Sequence, residues 1–243
     1  MKVIVFGGSG FLGSHVADAL SESGHNVTIY DKQVSPFLCK SQKMIEADIL
    51  DEKKVESAIK GNDVVYNFAG VADIVEAARK PLESVKANIL GNSIILEGCR
   101  RAKVKRFVYA SSLYVYSKTG SFYRSTKQAC ELLTENYHEA FGLSYTILRY
   151  GSLYGPRADA NNFIYRILKQ ALNEKKIVRE GDGEEIREYI HVADAAKGSV
   201  EILDKEFENQ HVIITGNQQM KVKDLLLMIK EMFDNSIELE FKD

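Results

Sequence analysis

The sequence predicts an α/β fold, with a doubly wound parallel sheet over residues 1–150 and a small lobe over residues 151–243. Three observations support this prediction. The chain opens with an unbroken apolar run that ends in clustered glycines, short β-rich runs then alternate with amphipathic helical stretches, and this rhythm loosens after Tyr150. The alternation is typical of right-handed βαβ units with helices on both faces of a sheet. Residues 186–215 of the lobe are expected to return partly to the sheet.

The composition disfavours several classes of protein and partner. A chain of 243 residues can bury a core without disulfides. The formal net charge of −2 argues against nucleic acid and acidic membranes as partners, and no apolar run is long enough for a targeting segment or a membrane span. The three cysteines are an odd number without C-x-x-C spacing, which indicates reduced thiols and a cytoplasmic protein.

The first strand is predicted at Val3–Phe6, an apolar run suited to burial on both faces. Four glycines follow it: Gly7, Gly8, Gly10 and Gly13. Their spacing fits G-x-G-x-x-G and also G-x-x-G-x-x-G, and they open the amphipathic helix Phe11–Leu20. Because the free N–H groups of that helix face the turn, this stretch predicts a site for the pyrophosphate of a dinucleotide.

The second strand, Val27–Tyr30, is followed by Asp31, which lies 18 residues after Gly13. A carboxylate there can accept hydrogen bonds from both ribose hydroxyls of an adenine nucleotide and repels a 2′-phosphate. Asp31 therefore favours NAD over NADP, although the neighbouring Lys32 leaves NADP open.

The remaining sheet region continues the alternation. Strands are predicted at Met44–Ala47, Val64–Asn67, Phe107–Ala110 and Tyr145–Leu148, and helices at Asp51–Ile59, Leu82–Arg101 and Tyr123–Gly142. Pro81 interrupts or starts the helix that runs on to Arg101. In the lobe, helices are predicted at Asn162–Asn173 and Val222–Phe233, and strand-like runs at Lys176–Val178, Ile186–Val192, His211–Ile214 and Ile237–Phe241. The fifth strand delivers Ser111 and Ser112 to the carboxyl edge of the sheet, where open α/β folds bind ligands.

Tyr123 and Lys127 lie four residues apart and so share one face of a helix. A free tyrosine titrates near 10, and two cations near 5 Å, the Lys127 ammonium and a bound nicotinamide ring, would each lower that pKa by about two units at an effective dielectric constant of 20. This is enough to make the phenol a general base near neutrality. The Y-x-x-x-K spacing is common on exposed helices, but the glycine turn and the strand-end serines favour the catalytic interpretation.

Together these residues resemble the extended short-chain dehydrogenase/reductase family of NAD-dependent nucleotide-sugar epimerases and dehydratases, and most closely its UDP-galactose 4-epimerase-like members. The marks are GGSGFLG, Asp31, Asp48-Ile49, NFAGVAD (Asn67–Asp73), ANILGN (Ala87–Asn92), SSLYVY (Ser111–Tyr116), YRSTK, LRYGSLYGPR and REYIHVADAA (Arg187–Ala196). The resemblance implies a Rossmann-type fold, NAD as cofactor, a nucleotide-sugar substrate, and a homodimer built from helices Leu82–Arg101 and Tyr123–Ala140.

The resemblance also implies roles for individual residues by their position. Contacts with the pyrophosphate of the cofactor are expected at Gly7, Gly10 and Gly13, with Phe11 and Leu12 between them. Asp31 is expected to contact the adenosine ribose, and Asp48 and Ile49 the adenine. Further cofactor contacts are expected at Phe68, at Ala69 and Gly70 on the nicotinamide side, and at Tyr123 and Lys127. Substrate contacts are expected at Ser112, Tyr150, Ser152, Asn162 and Arg187. No metal site is expected.

For catalysis, the resemblance assigns Ser112 as the family's serine or threonine and Tyr123 as the base. Lys127 would lower the pKa of Tyr123 and hold the nicotinamide ribose. Arg187 would bind the diphosphate of the substrate, the alternative being a surface ion pair with one of its neighbours Glu184, Glu185 and Glu188. Three further matches, Asn88, His191 and Asp194, are interpreted as structural.

Three departures from the family pattern bear on function. Eleven residues lead from Ser112 to Tyr123, where family members usually have a longer, substrate-contacting loop. Leu113-Tyr114 stands where dehydratases have an Asp-Glu pair. The chain also ends before the C-terminal segment that contacts the nucleotide base in family members, so we expect either a minimal lobe or an incomplete chain.

The leading expectation is an epimerase, in which NAD takes a hydride from a sugar carbon while Tyr123 removes the hydroxyl proton, and the hydride then returns to the opposite face. The first alternative is an NAD(P)-dependent reductase or dehydrogenase that uses the same residues with a dissociable cofactor. The second is a non-catalytic NAD-binding sensor or interaction protein, which the shortened connection favours and the intact Ser/Tyr/Lys set disfavours. A dehydratase is disfavoured by Leu113-Tyr114.

Overall fold

A computed structural model describes residues 1–242 of the chain. The strands are β1 (Lys2–Phe6), β2 (Asn26–Asp31), β3 (Lys43–Glu46), β4 (Val64–Asn67), β5 (Arg106–Ser112), β6 (Tyr145–Tyr150), β7 (Ser152–Tyr154), β8 (Lys176–Glu180), β9 (Ile186–His191), β10 (Gln210–Ile214), β11 (Gln219–Lys221) and β12 (Glu238–Lys242). The helices are α1 (Phe11–Glu22), α2 (Glu52–Ile59), α3 (Ile74–Arg79), α4 (Pro81–Val85), α5 (Gly91–Ala102), α6 (Ser121–Phe141), α7 (Phe163–Glu174), α8 (Val192–Glu201) and α9 (Val222–Met232). A π-helical turn covers Lys86–Leu90, and 3₁₀ turns cover Leu113–Tyr116 and Lys205–Phe207.

Seven strands form one sheet in the order β10-β6-β5-β4-β1-β2-β3, and every neighbouring pair is parallel. This arrangement confirms the predicted doubly wound parallel sheet. The strand order reverses between β1 and β4, so the topological switch point lies at the carboxyl ends of these two strands. Ligands of such sheets bind in the crevice at that point.

The burial of β1 explains why the sheet is covered on both faces. Val3, Ile4, Val5 and Phe6 are all 0% exposed, so the strand has no solvent-facing side. β5 is likewise buried along all seven of its residues. Because helices occupy both faces, the carboxyl edge is where polar side chains of the sheet can meet a ligand.

The chain divides into two compact units, one formed by residues 1–150 with 193–214 and the other by residues 151–192 with the chain from Thr215 onward. The first unit contains the seven-stranded sheet, with β10 at its edge. The second contains a three-stranded sheet (β11-β9-β7) and a parallel pair of strands (β12-β8). Its core consists of Ile167, Ala171, Ile177, Val222, Leu225, Leu226, Ile229 and Ile237. Each unit therefore has hydrophobic residues packed within itself.

The predicted helix Leu82–Arg101 is interrupted in the structure. Pro81 begins α4, and the π-helical turn separates α4 from α5. Asn88 lies in this turn and accepts a hydrogen bond from Val71 N (2.7 Å), while its Nδ2 donates to Val71 O (3.1 Å) and Thr126 Oγ1 (2.9 Å). These bonds to neighbouring segments stabilise the extra residue of a π turn.

Four elements are not predicted by the sequence patterns. α3 (Ile74–Arg79) has six residues, fewer than two helical turns. β7 and β11 have three residues each, which is too short for an alternation to be recognised. α8 is rich in alanine and glycine, so its apolar periodicity is weak. The other predicted helices and strands are present, with ends that move by one or two residues.

Candidate active site

The glycine turn after β1 is held closely against the end of β4. Gly7 has φ +77°, and a Cβ atom there would lie 2.6 Å from Ala69 N. At Gly13 a Cβ atom would lie 2.2 Å from Gly7 O. Neither position has room for a side chain, so the two glycines determine how closely α1 and β4 approach the turn.

Helix α1 begins without the usual capping groups. Gly10 occupies the N-cap and offers no side-chain hydrogen bond, and the first turn, which includes Phe11 and Leu12, has no acidic residue. The first N–H groups and the positive end of the helix dipole are therefore left for an anion. This arrangement suits the diphosphate of a dinucleotide.

Asp31 is the last residue of β2 and lies beside the glycine turn. Its Oδ2 accepts a hydrogen bond from Ser9 N (3.1 Å), and its Oδ1 accepts one from Gln33 N (3.2 Å). Because Ser9 is part of the glycine turn, these bonds fix the carboxylate next to the start of α1. Lys32 is exposed. The structure thus places Asp31, which is predicted to bind the adenosine ribose, beside the turn that is predicted to bind the pyrophosphate.

The residues after β3 lie at the same carboxyl edge of the sheet as Asp31. Asp48 is exposed, and its Oδ1 accepts a hydrogen bond from Leu50 N (2.8 Å). Ile49 is half-buried and packs against Gly91 of α5, where a Cβ atom would lie 2.5 Å from Ile49 Cδ1. The two residues therefore present one polar and one apolar side chain at the ends of the strands.

The residues after β4 lie between the glycine turn and the π-helical turn. Phe68 and Ala69 are half-buried, and Ala69 N donates to Asn67 Oδ1 (3.0 Å). Gly70 has φ +142°, and a Cβ atom there would lie 2.5 Å from Asn88 Oδ1. Asn88 thus holds this segment through backbone and side-chain contacts, which agrees with the structural interpretation of that residue.

Ser112, Tyr123 and Lys127 come together at the carboxyl end of β5. Ser112 ends that strand, its Oγ accepts a hydrogen bond from Tyr114 N (3.2 Å), and it is close enough to Tyr123, near the start of α6, to lower the pKa of the phenol. Lys127 Nζ donates to Ala110 O (2.6 Å) and lies 5.7 Å from the centre of the Tyr123 ring. All three side chains are buried. The eleven-residue connection is thus long enough to bring the serine and the tyrosine into contact.

Burial decides how two of these side chains titrate. It raises the pKa of Tyr123 to about 12, against the opposing effect of the hydrogen bond with Ser112, and it lowers the pKa of Lys127 to about 8. The expectation that Lys127 and a bound nicotinamide ring together bring the phenol near neutrality stays a prediction, since in the polypeptide by itself burial has the largest effect on the pKa of Tyr123. Removal from water disfavours both charged forms, and the Lys127 ammonium is directed at a backbone carbonyl.

Tyr150, predicted to contact substrate, lies in the core of the first unit. It is 4% exposed, and its hydroxyl lies 2.6 Å from Ser199 Oγ. Burial also raises its pKa well above the usual value. In this structure the hydroxyl therefore joins β6 to α8, and the substrate role of Tyr150 stays a prediction.

Two predicted substrate residues lie in the second unit, where one of them caps a helix. Asn162 Oδ1 accepts from Tyr165 N (3.1 Å) at the start of α7, and Asn162 Nδ2 donates to Leu153 O (2.7 Å). Both ends of its amide are thus used locally. Ser152 is half-buried at the start of β7.

Arg187 lies in β9, and its guanidinium stacks over the Phe163 ring at 5.7 Å. The three neighbouring glutamates have other partners: Glu184 binds Lys221 (2.7 Å), Glu185 binds Arg179, and Glu188 accepts from Gln219 (2.7 Å). Among residues 1–242, no ion pair of Arg187 is found. The surface ion pair that was the alternative for this residue is therefore not what the structure shows.

Sequence reasoning missed a buried ion pair next to the catalytic residues. Glu131 and Arg149 form it, on α6 and β6. The available signal was the spacing, since Glu131 lies four residues after Lys127 and shares its helix face, and a charge buried there needs a partner. A second missed contact is that of Tyr114, whose ring meets the Tyr123 ring edge-on with centroids 6.2 Å apart.

Within the described part of the chain, no cluster of three or more His, Cys, Asp or Glu side chains could hold a metal ion. None of the helices described has the length and apolar character needed to cross a membrane.

The model of the NAD dependent epimerase/dehydratase family matches residues 3–215. An uncharacterised UDP-glucose epimerase of Bacillus subtilis is 29% identical over an alignment of 272 positions, which covers 100% of this chain and 85% of that protein. The structure of UDP-glucose 4-epimerase from Thermotoga maritima with UDP-glucose is similar with a TM-score of 0.92 and 28% identity, covering 100% of this chain and 85% of that one. UDP-glucuronic acid 4-epimerase from Bacillus cereus, solved with UDP-glucuronic acid and NAD, has a TM-score of 0.91 and 28% identity, covering 99% and 86%.

Proposed function

The chain belongs to the NAD-dependent epimerase/dehydratase family, and on that basis we propose that it is a UDP-sugar 4-epimerase. The similar proteins named as a UDP-glucose epimerase, a UDP-glucose 4-epimerase and a UDP-glucuronic acid 4-epimerase support this activity. The observation that carries the proposal is the meeting of Ser112, Tyr123 and Lys127 at the edge of the sheet that also bears the glycine turn.

The residues at the switch point fit NAD, the cofactor on which the family depends. The uncapped start of α1 would hold the diphosphate, and Asp31 would hold the adenosine ribose. Asp48 and Ile49 would border the adenine, and the segment from Phe68 to Gly70 the nicotinamide side. When bound, NAD supplies a reversible hydride acceptor for a sugar carbon.

Tyr123 would take the proton of a substrate hydroxyl and later return it. Because burial holds its pKa near 12, the phenol is protonated until positive charge approaches it. Each cation near 5 Å lowers that pKa by about two units at an effective dielectric constant of 20. Ser112 would donate a hydrogen bond to the same oxygen, which stabilises the phenolate and aligns the reacting hydroxyl.

Arg187 would bind the substrate diphosphate. Its guanidinium is stacked on Phe163 and keeps its donors out of ion pairs with the flanking glutamates. A planar guanidinium held in this way suits bidentate contact with phosphate oxygens. Ser152 is retained as a second substrate contact, whereas the polar atoms of Asn162 and Tyr150 are already used within the protein.

Two alternative functions use the same residues. A reductase or dehydrogenase with a dissociable cofactor would consume or produce NADH, and the geometry of Tyr123 and Lys127 serves it equally well. A non-catalytic NAD-binding sensor is less well supported, because the short connection still joins Ser112 to Tyr123. A dehydratase is disfavoured because Leu113-Tyr114 stands where dehydratases have an Asp-Glu pair, so this chain lacks the carboxyl groups of that reaction at these two positions.

We also infer that the partner is a second copy of this chain. The helices named from the sequence carry large apolar side chains that are exposed: Leu82, Val85 and Leu90 along α4 and the π turn, and Phe122, Leu132 and Phe141 along α6. Exposed large apolar side chains on helices that meet in the fold favour an interface there.

The activity is tested with purified protein and a panel of UDP-glucose, UDP-N-acetylglucosamine and UDP-glucuronic acid, with GDP- and dTDP-sugars for comparison. Nucleotide released on denaturation is identified, the NADH absorbance band is followed, and the sugar products are separated. Epimer formation without net NADH supports the proposal, whereas a stoichiometric change in NADH supports the first alternative. Bound NAD with no turnover of any sugar supports the second.

The roles of the site residues are tested with Tyr123→Phe. We expect a loss of activity of about 10²-fold or more, as for removal of a general base. Tyr137→Phe is the matched control, since Tyr137 lies on the same helix and contacts Glu97 away from the sheet edge. Full activity of Tyr123→Phe would show that this residue is not the base.

A further inference from the structure

Glu131 is a buried carboxylate that accepts hydrogen bonds from a serine and an arginine. It is 6% exposed. Ser111 Oγ donates to its Oε1 (2.5 Å), and Arg149 donates through Nε to Oε1 (3.0 Å) and through Nη2 to Oε2 (2.6 Å). A bidentate guanidinium and a hydroxyl satisfy the charge that burial would otherwise make costly.

The partners of Glu131 lie next to the catalytic residues along the chain. Ser111 precedes Ser112 in β5 and is the register partner of Arg149 in β6. Glu131 lies one turn after Lys127 on α6. Since Lys127 Nζ binds Ala110 O, two successive turns of α6 bind two successive residues of β5, immediately before Ser112.

A second layer of groups fixes Arg149. Its Nη1 donates to the Tyr116 hydroxyl, and its Nη2 donates to His211 Nδ1 (2.7 Å) on β10. His211 Nε2 in turn lies 2.8 Å from Glu135, one turn further along α6. A guanidinium is always a donor, so Nδ1 of His211 is the acceptor and Nε2 carries the hydrogen.

We propose that Glu131 is a positioning residue, which sets β5 against α6 through Ser111 and Arg149 and supplies the counter-charge of the Lys127 ammonium. The proposal rests on the proposed function for its catalytic consequence, but its physical content concerns this chain's own side chains. Nothing in the reaction chemistry assigned to Ser112, Tyr123 and Lys127 uses Glu131 directly.

The groups that face Lys127 show why Glu131 matters for its charge. They are Tyr109 and the Ala110 carbonyl on β5, and Tyr123, Cys130 and Glu131 on α6. Burial raises the pKa of Tyr109, Tyr123 and Cys130, so these groups are neutral near pH 7. Cys130 and then Glu131 oppose the effect of burial on the pKa of Lys127, and of these two side chains Glu131 is the one held as an anion, in the ion pair with Arg149.

The first test measures Lys127 without relying on activity. Full-length protein with ¹⁵N-labelled lysine is titrated by NMR, with Lys127→Arg to assign the signal. In Glu131→Gln we expect the Lys127 midpoint to fall by about one pH unit, because charges one helical turn apart shift a pKa by roughly two units at a dielectric constant of 20 and Arg149 screens part of this. Glu139→Gln, an exposed site on the same helix, should leave the midpoint unchanged.

Glu131→Asp distinguishes the loss of negative charge in Glu131→Gln from a local disturbance of the packing. It also provides the test if Glu131→Gln fails to fold. It keeps the negative charge and shortens the side chain by one methylene, so the Lys127 midpoint should stay within a few tenths of a unit of wild type. An equal fall in Glu131→Asp and Glu131→Gln would overturn the counter-charge role, as would an unchanged midpoint in Glu131→Gln.

The second test uses the pH dependence of epimerisation. In Glu131→Gln the alkaline limb of kcat/KM should move to lower pH together with the Lys127 midpoint. In Ser111→Ala we expect kcat to fall about tenfold with KM unchanged and the limb in place. If wild type turns over no nucleotide sugar, the proposed function fails, while the NMR titration still decides the role of Glu131. If the Lys127 midpoint falls in Glu131→Gln but the alkaline limb of kcat/KM stays in place, the proposed effect of Glu131 on catalysis is overturned.

Discussion

Lys127 Nζ donates a hydrogen bond of 2.6 Å to the carbonyl oxygen of Ala110, two residues before Ser112. The bond joins α6 to the end of β5 and holds the ammonium 5.7 Å from the Tyr123 ring centre. It satisfies one of three donors of a buried cation, and burial lowers the pKa of that cation to about 8. The catalytic arrangement is therefore maintained at a cost in stability that depends on pH.

We expect the wild-type protein to gain stability relative to Lys127→Met as pH rises from about 8 to about 10.5. In this range the unfolded chain still binds the Lys127 proton and the folded protein has released it, so the free energy of unfolding rises with pH. Below pH 8 both states are protonated and the full penalty is present, on the order of 3 kcal/mol. Urea denaturation of both proteins at several pH values measures the difference. A difference independent of pH would contradict the lowered pKa of Lys127.

We expect Gly13→Ala to destabilise the fold by about 1–3 kcal/mol and to weaken NAD binding at least tenfold, because the new methyl group would lie 2.2 Å from Gly7 O and push α1 away from the turn. Gly198→Ala is the matched control. A Cβ atom there meets Ile214 at an ordinary 3.7 Å within α8, so this variant should be unchanged or up to about 1 kcal/mol more stable. Thermal unfolding and NAD titration measure both effects. Equal behaviour of the two variants would argue against a special role of the turn.

We expect Asp31→Asn to weaken NAD binding and to reduce the preference for NAD over NADP. The asparagine can still accept from one of the two backbone donors, Ser9 N and Gln33 N, but no longer repels a 2′-phosphate. Glu46→Gln, an exposed carboxylate at the end of β3, serves as the control. Calorimetry measures the dissociation constants of NAD and NADP for each protein. If the ratio of the two constants were the same in Asp31→Asn as in wild type, the adenosine ribose would not bind at Asp31.

We expect Leu132→Arg to convert a homodimer into monomers. Leu132 on α6 and Leu172 on α7 are both 61% exposed, so Leu172→Arg introduces the same charge at the same exposure outside the proposed interface. Size-exclusion chromatography with light scattering compares the three proteins. A wild-type monomer, or dissociation by Leu172→Arg and not by Leu132→Arg, would show that the interface on α6 is wrong.

Local chemistry explains what the sequence predicts correctly. The apolar run before the glycines, the glycine spacing and the position of Asp31 predict the switch-point site, because strand burial and tight turns leave direct marks on neighbouring residues. The spacing of Tyr123 and Lys127 predicts a shared helix face for the same reason, since helical geometry is periodic. These residues lie together at the carboxyl edge of the sheet in the structure.

Long-range packing explains what the sequence does not predict. Tyr150 reaches a partner 49 residues away, Ser199, and so belongs to the core although its neighbours in sequence suggest a substrate contact. Arg187 is kept from three adjacent glutamates because each of them binds a side chain from another segment. Sequence neighbours cannot reveal such pairings, because they depend on which surfaces the fold brings together.

The sequence by itself determined the sheet, the dinucleotide turn and the identity of the side chains that would move a proton. Only the tertiary structure decided their charge states. Tyr123 and Lys127 titrate far from the values of free side chains because folding removes them from water, and Glu131 stands beside Lys127 because β5, β6 and α6 pack around it. Solvation and long-range contacts arise only when the chain packs, whereas turn residues and helical spacing can be recognised directly in the sequence.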